Sequence, residues 1–92
     1  MRYKLILVPE AEQHLKEWKR SGQKKMLIKI SNLFEELISH PTTGTGQVEQ
    51  LKGNLSGLWS RRIDKANRLI YAIKEYEVIV SVISLKGHYK DK

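Results

Sequence analysis

Cysteine is missing from this sequence altogether, which excludes disulfides and thiolate chemistry and removes any pointer to an oxidising compartment. No apolar run is long enough to span a bilayer. The opening MRYKLILVPEAEQ breaks at Pro9 and meets acid at once, so it is not read as a signal peptide and the cytoplasm is the expected location. The three histidines, His14, His40 and His88, have no ligand spacing between them and no cysteine to help, so neither a zinc site nor any other cofactor is expected. Within Pro41–Val48 (PTTGTGQV) the GTG is followed by no Lys-Ser/Thr pair and no helix start, which argues against a phosphate-cradling loop and for a connector. Ninety-two residues leave no room for a second core, and residues 1–92 are read as one small domain.

Acid is also in deficit. Seventeen basic residues stand against ten acidic ones, a formal net charge of +7. The excess is concentrated between Lys52 and Arg68, where Lys52, Arg61, Arg62, Lys65 and Arg68 face the single acid Asp64. Such a balance costs self-repulsion and favours a polyanion or an acidic protein as partner. The 40% hydrophobic content is enough for a packed interior and argues against disorder.

Along the chain, Arg2–Val8 reads as a strand with Tyr3, Leu5 and Leu7 on one face and Ile6 and Val8 on the other. Pro9 suits the first position of a helix, and Ala11, Leu15 and Trp18 follow at helical spacing until Ser21-Gly22 breaks it. A longer helix is predicted from about Gln23 to Ser39, with an apolar stripe of Leu27, Ile30, Phe34, Leu37 and Ile38, and ends at His40-Pro41. Its Lys24, Lys25, Glu35 and Glu36 all oppose the helix macrodipole, at about 0.3–1 kcal/mol each if exposed. Such a cost marks either a binding surface or nothing at all, and the second reading is preferred because the terms are small and screened.

The remainder is β-rich. Leu58–Ile63 and Leu69–Ile73 flank Asp64, Lys65, Ala66 and Asn67, residues of the kind that close a hairpin. Arg61 and Arg62 must point to opposite faces, so one of them competes with the core or marks a surface left open. After a turn around Lys74–Glu77, Val78–Leu85 (VIVSVISL) is nearly continuous in apolar character, the mark of a central strand. Trp18 is expected to pack the helical hairpin, and Trp59 to pack between sheet and helices. The order β-α-α-β-β-β predicts an α+β fold, a helical hairpin on one face of a small antiparallel sheet, with the last strand pairing with both Leu69–Ile73 and the first strand. Residues Lys90–Lys92 are expected to fray.

Three groups of complementary chemistry lie in the second half: Glu49, Arg68 and His88. RNA carries its own nucleophile in the 2′-hydroxyl, so its cleavage needs a base, a cation for the charge on the phosphoryl oxygens, and an acid for the leaving oxygen. Taken alone the triple is a weak signal, since a lone histidine near a C-terminus is commonly surface decoration and an arginine opening a strand commonly a salt-bridge partner. Ser56 and Ser60 would need an adjacent base to act as nucleophiles, and nothing in the sequence places one there.

The run LKGNLSGLWSRRI, followed by NRLIYAI and a terminal HY, with Glu49 just ahead of it, resembles the Txe/YoeB family of bacterial toxins within the RelE/ParE group. The resemblance extends from the first strand to His88-Tyr89. It implies the toxin of a type II toxin–antitoxin pair, a ribosome-dependent endoribonuclease (mRNA interferase) that needs no metal. It further implies Glu49 as general base, His88 as general acid and Arg68 as the transition-state arginine. Tyr89 would help to hold the RNA, and Lys52 and Arg62 would line the site, with Lys65 added as a further phosphate contact. The implied partners are the ribosome with its mRNA and a YefM-like antitoxin whose disordered C-terminal segment wraps the toxin; a homodimer is also open to the chain. Two departures stand out: Gln50 where proline is frequent, and the extension Lys90-Asp91-Lys92. A non-enzymatic gyrase inhibitor on the same fold, or a basic RNA-binding module, are the alternatives, and the Glu49–Arg68–His88 set favours the nuclease.

Overall fold

In the computed structural model, which describes residues 2–87, the chain runs β1 (Lys4–Leu7), α1 (Pro9–Ser21), α2 (Lys24–Ser39), β2 (Glu49–Gln50), β3 (Leu58–Arg62), β4 (Arg68–Lys74) and β5 (Ile79–Ser84). Pro9 opens α1, where its missing N–H costs nothing. Glu10 and Glu12 lie at the positive end of its dipole, Lys19 and Arg20 at the negative end. The helix stops at Gly22, whose φ of +74° is the left-handed cap that glycine adopts without a Cβ penalty. Helix α2 follows at once and buries Ile30, Leu33 and Leu37, with Phe34 and Ile38 half-buried beside them. The predicted stripe is thus present, with Leu33 added to it.

The five strands form one sheet in the order β1-β5-β4-β3-β2. The β2–β3, β3–β4 and β4–β5 pairs are antiparallel, whereas β1 lies parallel to β5, so the sheet is mixed. As the near-continuous apolar run implies, β5 is central, paired on both sides, with Val80 and Val82 fully buried. Strand β2 was not anticipated. Two residues are too few to show a period, and this strand exists only through its pairing of Glu49 with Ser60 and Gln50 with Trp59.

The helices cover one face of the sheet. Ala11 and Trp18 of α1 and Ile30, Leu33 and Leu37 of α2 pack with Leu69, Tyr71, Val80 and Val82 in one apolar cluster, with Trp59 and Ile73 against it. Both tryptophans lie where they were expected, Trp18 donating its indole N–H to the Leu85 carbonyl at 3.0 Å and Trp59 stacking on Tyr71. Among the described residues, neither α1 nor α2 packs on the opposite face.

Arg61 is the arginine that enters the core. It is fully buried, on the same face as Leu69, its partner across the β3–β4 ladder. Its guanidinium is satisfied throughout: Nε donates to Tyr71 Oη at 3.2 Å, Nη1 to Glu36 Oε1 at 2.6 Å, and Nη2 to the carbonyls of His40 and Thr43 at 3.0 and 2.8 Å. Tyr71 Oη in turn donates to the Pro41 carbonyl at 2.6 Å. Glu36 accepts the Thr45 N–H at 2.9 Å and its hydroxyl at 2.8 Å. The macrodipole-opposing Glu36 therefore has a structural partner that the helix alone does not reveal. It neutralises a buried cation and fastens the 40–45 connector. Partial burial by itself would raise the Glu36 carboxyl, but the hydrogen bonds from Thr45 and the charge of Arg61 outweigh it and hold the group below the usual carboxylate range.

Candidate active site

Because side chains alternate along a strand, placing Trp59 and Arg61 toward the helices sends Leu58, Ser60 and Arg62 to the face opposite α1 and α2. On β4 the same alternation sends Arg68, Ile70 and Ala72 there, opposite Arg62, Ser60 and Leu58. Glu49 joins this face through its pairing with Ser60. Three short strands thus bring together residues that are remote in the chain.

At the centre, Arg68 Nη1 lies 3.8 Å from Glu49 Oε1 and donates to Ser60 Oγ at 3.3 Å. The arginine side chain is mostly sheltered while the glutamate is 62% exposed. The ion pair is therefore long and solvated, holding the carboxylate near the guanidinium without consuming either group. Arg62 sits directly across the ladder from Arg68. Like charges in that relation are unfavourable, and one glutamate does not neutralise two guanidiniums. Arg62, Arg68 and Glu49 together thus leave a net positive charge at this point of the face.

Of the residues singled out by sequence, Glu49, Arg62 and Arg68 share this face. Lys52 and Lys65 are both exposed but lie beyond opposite ends of β3: Lys52 follows Leu51, whose N–H pairs with the Leu58 carbonyl, and Lys65 is in the turn that follows Arg62. They extend the positive charge along the strand rather than cluster with Arg68. His88 and Tyr89 lie outside the described residues. The residue immediately before them, Gly87, accepts the backbone N–H of Arg68 at 3.0 Å.

The sequence alone places no base beside Ser60. The fold does place a carboxylate, Glu49, in register with it, but Ser60 is fully buried, so its hydroxyl cannot meet a substrate. Its observed work is to accept the hydrogen bond that orients Arg68, a role visible only once β2, β3 and β4 are paired. The other two histidines are engaged by the backbone. His14 Nδ1 accepts the Leu85 N–H at 3.1 Å, and His40 Nδ1 lies 2.9 Å from the Thr43 carbonyl. Among the described residues, no group of three or more His, Cys, Asp or Glu side chains is arranged to hold a metal ion, and no helix is long and apolar enough to cross a membrane.

Comparison with known proteins gives a consistent picture. A family profile described as "YoeB-like toxin of bacterial type II toxin-antitoxin system" matches residues 8–89. The chain is 38% identical over 85 residues to Toxin YoeB of Synechocystis sp., covering 92% of this chain and 96% of that protein. The fold is similar to that of the YoeB/ParE toxin from Agrobacterium tumefaciens, with a TM-score of 0.87, 31% identity, and coverage of 94% of this chain and 99% of that one. It is also similar to YoeB of Staphylococcus aureus, solved as a dimer (TM-score 0.83) and as a YoeB-YefM complex (TM-score 0.81). The identity is 32% in both, with 97% of this chain and all of the other covered.

Proposed function

Since the chain belongs to the YoeB-like toxins of bacterial type II toxin–antitoxin systems, we propose that it is an mRNA interferase, cutting ribosome-bound mRNA in the A site through the message's own 2′-hydroxyl. The observation that carries this reading is the approach of Glu49 and Arg68 to within 3.8 Å on the face opposite α1 and α2, with Arg62 opposite and the chain leading to His88 hydrogen-bonded to the Arg68 backbone.

The chemistry assigned to these groups balances without a redox partner. The Glu49 carboxylate takes the 2′-hydroxyl proton, and the 2′-oxygen attacks the adjacent phosphorus. The P–O5′ bond breaks, and His88 in its protonated form supplies the proton to the departing 5′-oxygen. Arg68, oriented by Ser60, and Arg62 offset the charge gathering on the phosphoryl oxygens. The products are a 2′,3′-cyclic phosphate and a 5′-hydroxyl, and the proposed reaction needs no metal. Lys52, Lys65 and Tyr89 are assigned to holding the RNA on either side of the scissile bond. A partner of YefM type that masks the basic face, and a homodimer, are proposed by likeness to the staphylococcal structures.

The test is single-turnover cleavage of a message on the ribosome, with ribose or 2′-deoxyribose at the scissile position. The ribose form should be cut, with chelators leaving the rate unaltered, and the deoxy form should persist. Equal cutting of both would remove the 2′-hydroxyl as nucleophile and all three assignments with it. Intact messages together with trapped gyrase–DNA complexes on expression without antitoxin would instead identify a gyrase inhibitor.

A further inference from the structure

The turn joining β3 to β4 holds a side-chain relay that the reaction as assigned does not use. Asp64 Oδ1 accepts the backbone N–H groups of Ala66 at 2.8 Å and Asn67 at 2.7 Å, fixing the turn as aspartate side chains do. The same carboxylate accepts Asn67 Nδ2, at 3.1 Å to Oδ1 and 3.3 Å to Oδ2. A carboxylate can only accept, so it dictates which way the Asn67 amide lies: Nδ2 toward Asp64 and Oδ1 away from it. That Oδ1 accepts the N–H of Gly87 at 2.8 Å.

Gly87 is gripped a second time, because its carbonyl accepts the Arg68 N–H at 3.0 Å. Its φ of +76° is one that side-chain-bearing residues rarely adopt. Both polar groups of one peptide-chain residue are thus tied to consecutive residues at the start of β4. From the other side α1 holds the two preceding residues. Leu85 donates its N–H to His14 Nδ1 and accepts from Trp18 Nε1, and Lys86 Nζ pairs with Glu17 at 2.8 Å. A one-residue register shift between β4 and β5 at Ile70/Tyr71 turns Leu85 into the core cluster and sets up this exit. His88 is the next residue in the sequence.

We infer that Asn67 is a positioning residue, whose side chain, oriented by Asp64, fixes Gly87 against Arg68 and so sets where the chain that carries His88 leaves the sheet. For its effect on cleavage this rests on the nuclease reading above; as a statement about the Gly87 clamp it stands apart from it. The backbone of Asn67 does separate work, its carbonyl accepting the N–H groups of Ile63 and Asp64, so removing the side chain leaves the turn's own ladder in place.

Asn67→Ala should slow single-turnover cleavage by roughly 10–10²-fold, the cost of a catalytic group displaced by about an ångström, with KM within about twofold of the parent. Asn67→Asp sets two carboxylates face to face and should be as slow or slower. The exchanged pair Asp64→Asn with Asn67→Asp restores one donor amide and one acceptor carboxylate at the same separation, and should recover most of the rate. In parallel, hydrogen exchange of the Gly87 amide should accelerate in both single variants and return to the parent value in the pair. A raised KM at unchanged kcat, or failure of the exchanged pair to recover rate while Gly87 protection returns, would overturn the positioning role. Unchanged Gly87 exchange in Asn67→Ala would overturn the clamp itself. If the parent cuts no message, the nuclease reading fails and the amide exchange still decides the clamp.

Discussion

Replacing Glu36 with glutamine is the sharpest test of how this small domain tolerates a buried cation. Arg61 has no exposed surface, and its partner Glu36 retains 22% of its side-chain exposure. Removing one partner of a buried pair costs ~3–5 kcal/mol because the remaining charge is left uncompensated. Here Nε and Nη2 keep their neutral acceptors in Tyr71, His40 and Thr43, and solvent reaches the Glu36 end, so about 3 kcal/mol is expected. At roughly 4–8 °C per kcal/mol for a domain of this size, Glu36→Gln should lower Tm by about 12–24 °C. Urea unfolding should show a lower midpoint with an unchanged m value. The pH dependence gives the sign independently. The Glu36 carboxyl is held below its ordinary value of 4.5 in the folded state, so its contribution is complete above that value and is lost as pH falls through the folded one. The gap between parent and Glu36→Gln should therefore be wide at neutral pH and close in acid. A variant within about 1 kcal/mol of the parent at pH 7, or a gap that persists undiminished in acid, would refute the assignment of Glu36 as the counter-ion of Arg61.

Gly44→Ala should be destabilising by ~1–3 kcal/mol, because φ is +127° and a Cβ would collide with Glu36 Oε1; combined with Glu36→Gln in thermal melts, the two costs should not add, since they strike the same contact. Neutralising Lys52, Arg62 and Lys65 together should reduce the slope of log affinity against log salt for ribosome-bound message by about 2, at ~0.7 per phosphate contact on a single strand, and an unchanged slope would show that these residues do not touch RNA. Arg68→Ala and His88→Gln should each lower the single-turnover rate by roughly 10²–10⁴-fold, while the Arg68 variant keeps the parent's circular dichroism, since its partly exposed side chain lies outside the apolar cluster.

Local pattern determined much of this fold. Pro9, the spacing of Ala11, Leu15 and Trp18, and the Ser21-Gly22 break wrote α1 into the sequence. The apolar run ending at Leu85 likewise marked β5 as central. Such signals are short-range, because a helix or strand repeats its burial every few residues and so announces itself within one window. The motif around SGLWSRR and NRLIY also marked Glu49 and Arg68 as residues to watch. What it could not supply was their meeting on one face. Period two says that Arg61 and Arg62 diverge, but which of them is buried depends on which face the helices cover, and that is a property of packing. Strand β2 is too short to carry a period, so Glu49's place beside Ser60 and Arg68 comes entirely from pairing with β3. Glu36 appeared as a charge at the wrong end of a helix, because local electrostatics sees the dipole and not the guanidinium that arrives from β3. The same holds for Asn67: as sequence it is an ordinary turn residue, and only the return of β5 beside β4 gives its amide a backbone to hold. Contacts between residues remote in the chain are set by how the elements close on one another, and that closure is what assembles the site.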